Sequence, residues 1–564
     1  QRDFGSPKYY PFLTRQAYFF QDRWRVNADL TLTLGLRYEN FGQPINTLRT
    51  VAFTGLFNVD PATRLGPYAL PNKVPGDNNN WAPTVGLAYS PSYTEGFLGR
   101  LVGDRVTVLR MGYQVGYDSF FNNIASNAAT SSPNVVATTT NSVVGTGTAR
   151  GLSALSTRLP TTPRPLSPLD AQTLVDPNLV NPYYQKWSIG IQRALPWNLV
   201  FDASYVGNKG NKLFINEDKN PSVPVALRSA IPAGYPNCTP NTNVTAAQAT
   251  AQFPAGVLCP LSGRLDNLQG SRLIRTNSGA SIYHSGQFLL QRRFANGIAL
   301  TGSYTYSKLI DNASEVFAVA ETNQPQQASF PAILGGQPLE RAVSFFDRTH
   351  RGSITYVYTL PWYKDQRGFA GRALGGWELS GVTTWETGVP LTVTNGADAD
   401  AIGGNLDRPD FNPLGQPGVR AVPAVASATS NPCAVAVGAT YYTNPDAAGA
   451  CIDPANAQYI GLLAGSGRRG NLGRNTLRSP GLNNWNLNVL KRVRLTEGTS
   501  FEFRTEFYNV FNHPQYGTGS VSPFSGLPTG IAASVINSSA GRFLRPEFDE
   551  GGGRVIRYQA KFIF

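Results

Sequence analysis

The sequence has no apolar run of the roughly 20 residues that a transmembrane helix needs, and Asp, Glu, Lys and Arg make up only 15% of its 564 residues. Helical membrane spans are therefore excluded. A membrane protein built of β-strands is not excluded. Strands that alternate apolar and polar residues do not raise averages such as the mean hydropathy, which is −0.22.

Positive charge is in modest excess. The net charge of +13 comes from 48 Lys and Arg residues against 35 Asp and Glu residues. The basic residues are scattered, without a dense run or a recognisable nucleic-acid module, so nucleic-acid binding is not expected. A lumen or rim that meets anionic lipid headgroups or anionic solutes explains the charge at least as well.

Residues for catalysis and metal binding are also sparse. The three histidines, His284, His350 and His513, are far apart in the sequence. We therefore predict no enzymatic activity and no cofactor. One acidic loop is a candidate for calcium because oxygen ligands suit that ion, but its spacing is not that of an EF-hand and acidic loop residues are usually just solvated. Its carboxylates are Asp398, Asp400, Asp407 and Asp410.

The four cysteines form two local pairs, Cys238 with Cys259 and Cys433 with Cys451, each inside a stretch rich in Pro, Gly and Asn. The even count and short spacing predict two loop-closing disulfides in an oxidising compartment. Zinc is the competing interpretation, but neither pair has Cys-x-x-Cys spacing and no histidine lies nearby.

Strict alternation of apolar and polar residues indicates β-strands. From Leu30 to Glu39, leucine or tyrosine alternates with Thr, Gly, Arg and Glu, whereas a helix would spread these leucines around its circumference. The closing segment from Arg554 to Phe564 alternates in the same way and ends on an aromatic residue. Thirteen such strands are predicted, at residues 15–26, 30–39, 81–89, 105–117, 185–192, 199–206, 283–294, 298–309, 352–360, 377–393, 485–493, 500–511 and 554–564.

The connections between these strands alternate between short and long. This parity is typical of a transmembrane antiparallel β-barrel with short periplasmic turns and long extracellular loops, and a soluble sheet has no reason to keep it. The fold class is therefore all-β. Because bacterial barrels normally have an even number of strands, and because Gln1 opens onto a polar stretch without a signal peptide, residues 1–564 are expected to be one barrel region whose further strands lie upstream.

The pattern also assigns residues to surfaces of the barrel. Tryptophans beside short turns predict an interfacial girdle at Trp24, Trp197, Trp362 and Trp377. Polar residues on alternating positions are expected to face the lumen, where they would contact a plug or pair in salt bridges: Arg37, Glu39, Glu502, Arg504, Glu506, Arg557 and Lys561. Loops with aromatics, such as Tyr441 and Tyr442, are the expected ligand-facing surface.

Several of these segments resemble TonB-dependent receptors of the Oar-like type. They are Phe19-Phe-Gln-Asp-Arg-Trp-Arg-Val26, Gly302-Ser-Tyr-Thr-Tyr-Ser-Lys308, Phe346-Asp-Arg-Thr-His-Arg-Gly352, Gly376-Trp-Glu-Leu-Ser-Gly381 and Phe503-Arg-Thr-Glu-Phe-Tyr-Asn-Val-Phe-Asn-His-Pro514, in the family's order, with Leu30–Glu39 after the first. The resemblance implies a plugged, 22-stranded barrel of the bacterial outer membrane.

The resemblance further implies uptake of a scarce, unidentified solute, driven by the inner-membrane TonB complex. Tyr558, Phe562 and Phe564 match the terminal signal that the barrel-assembly machinery reads. The family's plug, TonB-contacting segment and N-terminal domain have no match here and are expected upstream. Outer-membrane lipid and lipopolysaccharide are the expected surroundings. The alternative is a structural or adhesive barrel, or a passive porin, that binds other surface components through its disulfide-closed loops.

Overall fold

The computed structural model of the chain describes residues 14–43, 74–119, 122–131, 171–218, 271–314, 340–393, 408–415, 454–463, 470–513 and 553–564, apart from residues 177 and 480, together with a few shorter pieces. Within these ranges the protein consists mostly of antiparallel strands in one large sheet, as the alternation predicts. No helix in the described part of the chain is long and apolar enough to cross a membrane.

The sheet holds 15 strands, and thirteen of them form its main path. This agrees with the number predicted from the sequence. They are β1 (Gln16–Arg25), β2 (Leu30–Asn40), β3 (Asn80–Tyr89), β4 (Thr107–Tyr117), β5 (Tyr183–Leu195), β6 (Leu199–Asp218), β7 (Arg272–Ala295), β8 (Ile298–Asp311), β9 (His350–Thr359), β10 (Trp377–Glu386), β11 (Leu482–Arg494), β12 (Ser500–Tyr508) and β13 (Val555–Ile563).

Each of the thirteen strands pairs antiparallel with the next one in the chain, so the sheet is a continuous meander with β1 and β13 at its two ends. The two remaining strands are short. Ala342–Val343 pairs with β8, and Gln172–Val175 runs parallel to the start of β7. A meander of this kind needs only local connections, which is why neighbouring strands in the sequence are neighbours in space.

The connections alternate as predicted. The short ones are residues 26–29, 90–106, 196–198, 296–297, 360–376 and 495–499, and the long ones are 41–79, 118–182, 219–271, 312–349, 387–481 and 509–554. All short connections therefore lie at one end of the sheet, the short-turn end, and all long ones at the other, the long-loop end. The tightest is Asn296–Gly297, where both residues have positive φ (54° and 81°), as a type I′ hairpin turn requires.

In the described parts of the connections there are three α-helices. They are α1 (Gly96–Val102) and α3 (Gly368–Leu374) at the short-turn end and α2 (Asn122–Ala129) at the long-loop end. The alternating pattern predicts short connections here but does not reveal α1 and α3. Both helices are only seven residues long and rich in glycine, so they leave no detectable helical periodicity.

The register gives the sheet one apolar and one polar face. One row of neighbours on the apolar face runs Leu32, Leu87, Met111, Ile189 and Tyr205 across five strands. The adjoining row on the other face consists of small or mostly polar residues: Thr33, Gly86, Gly112, Ser188 and Val206. Met111 and Ile189 are 40% and 43% exposed. An exposed apolar face of this breadth is typical of a wall that borders lipid.

The buried core lies outside the membrane wall, at the long-loop end. The largest cluster packs α2 against the extended ends of β6 and β7 and the strand Gln172–Val175; its members include Ile124, Leu174, Phe214 and Ile274. Two smaller clusters join segments from residues 345–393, 411, 459 and 472–477. Parts of the long connections are thus folded onto the end of the wall.

Some predicted strand boundaries are wrong. β6 and β7 continue to Asp218 and back to Arg272, beyond the predicted residues 199–206 and 283–294. Their extensions carry polar residues on both faces, so alternation no longer marks them. The predicted strand 377–393 ends instead at Glu386, and a separate short strand, Pro390–Leu391, follows. Pro390 lacks the N–H that a continued central strand would need.

Candidate functional site

The polar face of the wall carries side chains that pair with one another. All seven residues expected to face the lumen lie on this face, by the register from β2 to β13: Arg37, Glu39, Glu502, Arg504, Glu506, Arg557 and Lys561. Arg37 contacts Glu39 at 2.7 Å, and Glu506 lies 3.7 Å from Arg504 and 3.8 Å from Arg557. That this face encloses a lumen stays a prediction.

These pairs on the polar face are partly exposed, so each contributes about 0–1 kcal/mol to stability. Their arrangement along a wall matters more than their individual strength. Alternating acidic and basic groups can hydrogen-bond water, a solute or a packed segment without leaving a large charge of one sign. The face is therefore chemically suited to a wet interior.

The four tryptophans expected in the interfacial girdle all lie at the short-turn end. Trp24 is near the end of β1, Trp197 is in the β5–β6 turn, Trp362 is in the connection before α3, and Trp377 opens β10. Trp197 is 79% exposed. The indole nitrogen of Trp377 donates to the carbonyl of Ala373 at 3.0 Å. Ring exposure combined with a polar contact suits the boundary between lipid and water.

Buried ion pairs hold the connections together at the long-loop end. We name as the long-loop cluster the segments 311–314, 340–348, 389–393, 408–415, 454–463 and 470–479. Arg408 makes a bidentate contact with Glu340 at 3.0 and 3.3 Å, and both side chains are at most 3% exposed. Arg474 pairs with Asp311 and also donates to the Glu340 carbonyl at 3.1 Å.

Asp347 joins the long-loop cluster to the wall. Its carboxylate accepts from the Leu309 backbone N–H at 2.6 Å, from Thr349 Oγ1 at 3.0 Å and from Arg478. Asp347 thus links the connection that precedes β9 to the backbone of β8 and to Arg478. Nearby, burial raises the pKa of Tyr459 above its usual value, so this phenol remains neutral.

The histidines do not come together. His284 and His350 both lie on the apolar face, where Nδ1 of each contacts a tyrosine hydroxyl of the preceding strand, Tyr205 at 2.7 Å and Tyr304 at 2.8 Å. His513 follows β12, and its backbone N–H donates to Asn509 at 2.9 Å. The two Tyr–His pairs satisfy polar atoms on a surface that is otherwise apolar.

A cavity of about 360 Å³, which we name the rim cavity, lies at the long-loop end of β3, β4 and β5. Its aromatic side, formed by Trp81, Tyr117 and Tyr183, belongs to the apolar face of the wall. Its polar side includes Lys212 and Asp77, and Asp77 accepts from the Asn181 backbone N–H at 2.7 Å. The cavity was not foreseen, because its residues come from four separate segments whose proximity no local pattern reveals.

The terminal strand β13 displays its aromatic residues on the apolar face. Tyr558 and Phe562 pack against Phe503 and Phe501 of β12, with ring centroids 6.1 and 4.8 Å apart, and Phe564 is 95% exposed. The terminal aromatics therefore remain available to another protein. Their reading by the assembly machinery stays a prediction.

Several predicted sites lie outside the described residues. These are Cys238, Cys433, Cys451, Asp398, Asp400 and Asp407, while Cys259 is described only as part of the strand Leu258–Cys259 and Tyr441 and Tyr442 only as part of Thr440–Tyr442. Asp410 accepts from the Asn471 backbone N–H at 3.1 Å. Among the described residues, no group of three or more His, Cys, Asp or Glu side chains could hold a metal ion.

The antiparallel meander, its apolar and polar faces and its alternating connections define the wall of a transmembrane β-barrel. The chain belongs to the family described as outer membrane beta barrel domain, which it matches over residues 1–545. It is therefore a protein of the bacterial outer membrane. No curated protein sequence matches the chain.

Similar solved structures include the outer membrane transporter YddB from Escherichia coli, at 9% identity and a TM-score of 0.41, covering 98% of this chain and 45% of that one. The siderophore receptors PirA from Pseudomonas aeruginosa and from Acinetobacter baumannii are 10% and 9% identical, with TM-scores of 0.33 and 0.39; each match covers 97% of this chain and 48% and 45% of theirs. The chain thus spans about half the length of these structures.

Proposed function

We propose that the chain is the barrel region of a TonB-dependent outer-membrane receptor that takes up a scarce solute. The observation that supports this most directly is the wall itself, which combines a lipid-type apolar face, a paired polar face and, in the described parts of the long connections, folded segments at one end. A binding barrel needs all three: a membrane contact, a wet interior and a structured outer surface.

The motifs that resemble the Oar-like receptors lie on strands of the wall or at the junction between a loop and a strand. Gly302–Lys308 lies within β8, and Phe346–Gly352 links the long-loop cluster to β9. Gly376–Gly381 forms the last residue before β10 and its first half, and Phe503 opens a motif that runs along β12. The resemblance therefore follows the wall and one of its loop junctions, which supports a receptor of this type over an unrelated barrel.

The partners in this proposal follow from the surfaces. The apolar face would contact outer-membrane lipid, and the rim cavity with Lys212 would meet the sugar and phosphate groups of lipopolysaccharide, because it opens on the lipid side of the wall. The TonB complex would supply energy, and the assembly machinery would read β13. The proposal includes no catalytic step, no cofactor and no nucleic acid.

Solute uptake by a strain that lacks the gene tests the proposal. The strain is grown on a panel of scarce solutes, each supplied as the sole source of the nutrient that it contains. Growth should fail for at least one solute, and the full-length gene should restore it. The same loss should appear when the TonB complex is inactivated. Uptake that persists without the TonB complex would contradict an energised receptor and indicate a porin instead.

The adhesive or structural alternative makes a different prediction. It requires that deletion of the gene changes cell-to-surface or cell-to-cell attachment while uptake of every solute in the panel is unchanged. Measuring both properties in the same deletion strain separates the two functions.

A further inference from the structure

Two of the short-turn connections are built on one repeated pattern. The segments Gly96-Phe-Leu-Gly-Arg-Leu-Val-Gly103 and Gly368-Phe-Ala-Gly-Arg-Ala-Leu-Gly375 form α1 and α3 with the glycine that follows each. In both, the first glycine has positive φ, at 71° and 68°. In both, the closing glycine donates its N–H to the carbonyl of the fourth residue at 2.9 Å.

Each helix is held on the apolar face of the wall by the second strand that follows it. For α1, Arg193 of β5 donates to the Arg100 carbonyl at 3.4 Å, and Thr107 of β4 donates to the Val102 carbonyl at 2.7 Å. Arg193 and Thr107 are cross-strand neighbours on the apolar face. The C-terminal end of α1 therefore lies on the apolar, lipid-type face of the wall.

The second helix repeats this arrangement. Lys491 of β11 donates to the carbonyls of Arg372 at 2.6 Å and Ala373 at 2.9 Å, and Lys491 lies opposite Trp377 on the apolar face, 5.0 Å from its ring centroid. A cation at a helix C-terminus is favourable because the free carbonyls there are partially negative. The same device thus fixes both helices, although they are far apart in the chain.

Both helices point a phenylalanine away from the protein. Phe97 is 77% exposed and Phe369 is 91% exposed, and each lies beside an exposed arginine in the last turn, Arg100 or Arg372. Leu374 adds a further apolar side chain that is 53% exposed. Exposed aromatic and aliphatic side chains next to basic ones characterise helices that lie in the plane of a membrane interface.

We propose that α1 and α3 are paired interfacial anchors that insert Phe97 and Phe369 into the phospholipid leaflet at the short-turn end, while Arg100 and Arg372 contact phosphate groups. Phospholipid is the occupant because the helices sit on the apolar face and so continue the surface that already borders lipid. The proposal rests on the outer-membrane fold and is independent of what the barrel transports.

Fluorescence quenching by lipid tests this. The full-length protein with Phe97→Trp or Phe369→Trp is reconstituted in vesicles of phosphatidylethanolamine and phosphatidylglycerol, with or without bromine on the acyl chains. Leu414→Trp is the matched control, since Leu414 is 87% exposed in the long-loop cluster, away from the membrane. A heat-dependent shift in gel mobility checks that each variant has folded.

Emission added by Phe97→Trp and Phe369→Trp should be lost in brominated vesicles and should resist acrylamide in the water. Emission added by Leu414→Trp should be unchanged in brominated vesicles and should be quenched by acrylamide. Loss to acrylamide without loss to bromine at both helices would overturn the proposal. Protection from acrylamide in native envelopes but not in the vesicles would also overturn it, since a periplasmic protein would then cover the helices. Neither result would bear on uptake.

Discussion

At the scale of single residues, the strongest constraints are the buried charges of the long-loop cluster. Arg474 is 2% exposed and holds three segments together through Asp311, Ser314 and the Glu340 carbonyl. Removing one member of a buried pair leaves the other charged and desolvated, which is worse than replacing both. Folding of the long-loop cluster therefore depends on these charged side chains as well as on its apolar contacts.

We predict that Arg474→Met loosens the long-loop cluster. It should lower the free energy of unfolding by about 3–5 kcal/mol, because Asp311 would stay buried without its cation. Trypsin digestion of intact cells should then cut the connections 312–349 and 387–481 faster than in the parent. The control is Arg504→Gln, whose partner Glu506 is partly exposed at 3.7 Å, so that the loss is roughly 0–1 kcal/mol. Equal digestion rates for both variants would contradict the role assigned to Arg474.

A second residue-level constraint is the close approach of aromatic rings to glycine across the sheet. Trp187 of β5 covers Gly207 of β6, and a Cβ at Gly207 would overlap the indole ring. At Gly302 of β8 a Cβ would meet nothing within 4 Å. The sheet therefore contains glycines that packing requires and glycines that it does not.

Gly207→Ala should lower the midpoint of thermal unfolding of the detergent-solubilised barrel, since the indole must move and overpacking costs about 1–3 kcal/mol. Gly302→Ala is the matched control and should leave the midpoint nearly unchanged. The measurement is loss of the heat-modifiable band as temperature rises. A larger shift for Gly302→Ala than for Gly207→Ala would show that ring packing is not the cause.

At the scale of elements, the sequence predicts the strands well and the loop structures poorly. The thirteen strands follow from alternation, because each residue on a wall faces either lipid or a polar interior. The extensions of β6 and β7 were missed since both of their faces carry polar residues. The repeat of α1 in α3 is visible in the letters as Gly-Phe-x-Gly-Arg, but its attachment to Arg193 and Lys491 depends on pairing that only the fold supplies.

The candidate sites divide in the same way. Faces and turn positions follow from strand periodicity, so the seven lumen candidates share the polar face and the four tryptophans lie at the short-turn end. Their roles in a lumen and in an interfacial girdle stay predictions. The ion pair of Arg474 with Asp311 joins positions 163 residues apart, and the cavity beside Tyr117 joins four segments. No local pattern encodes such distances, and each participating residue is ordinary in its own context.

For the terminal strand, we predict that deletion of Phe564 lowers the amount of full-length protein in the outer membrane. β13 lies at the end of the sheet with Phe564 95% exposed, so its removal should affect recognition during assembly more than packing. Immunoblots of membrane fractions measure this. Removal of Glu497 in the β11–β12 turn serves as the comparison, and unchanged levels after deletion of Phe564 would argue against an assembly signal.

At the scale of the whole molecule, a single asymmetry organises the chain. One end carries the short connections, α1, α3 and the four tryptophans beside them. The other end carries the long-loop cluster with its buried charges and the rim cavity. Outer-membrane barrels show such a difference, with short turns on the periplasmic side and longer loops on the extracellular side. The lengths of the connections therefore predict how the wall is oriented in the membrane, with the long-loop end facing the cell exterior.

Labelling of inserted epitope tags in intact cells tests this account most directly. Tags are placed one at a time in three long connections, 219–271, 312–349 and 509–554, and in three short ones, at Asn198, Gly297 and Gly498. We predict that antibody labels every long-connection tag on intact cells and every short-connection tag only after the outer membrane is permeabilised. Equal labelling of both sets in intact cells would contradict a membrane-spanning wall with its long loops outside.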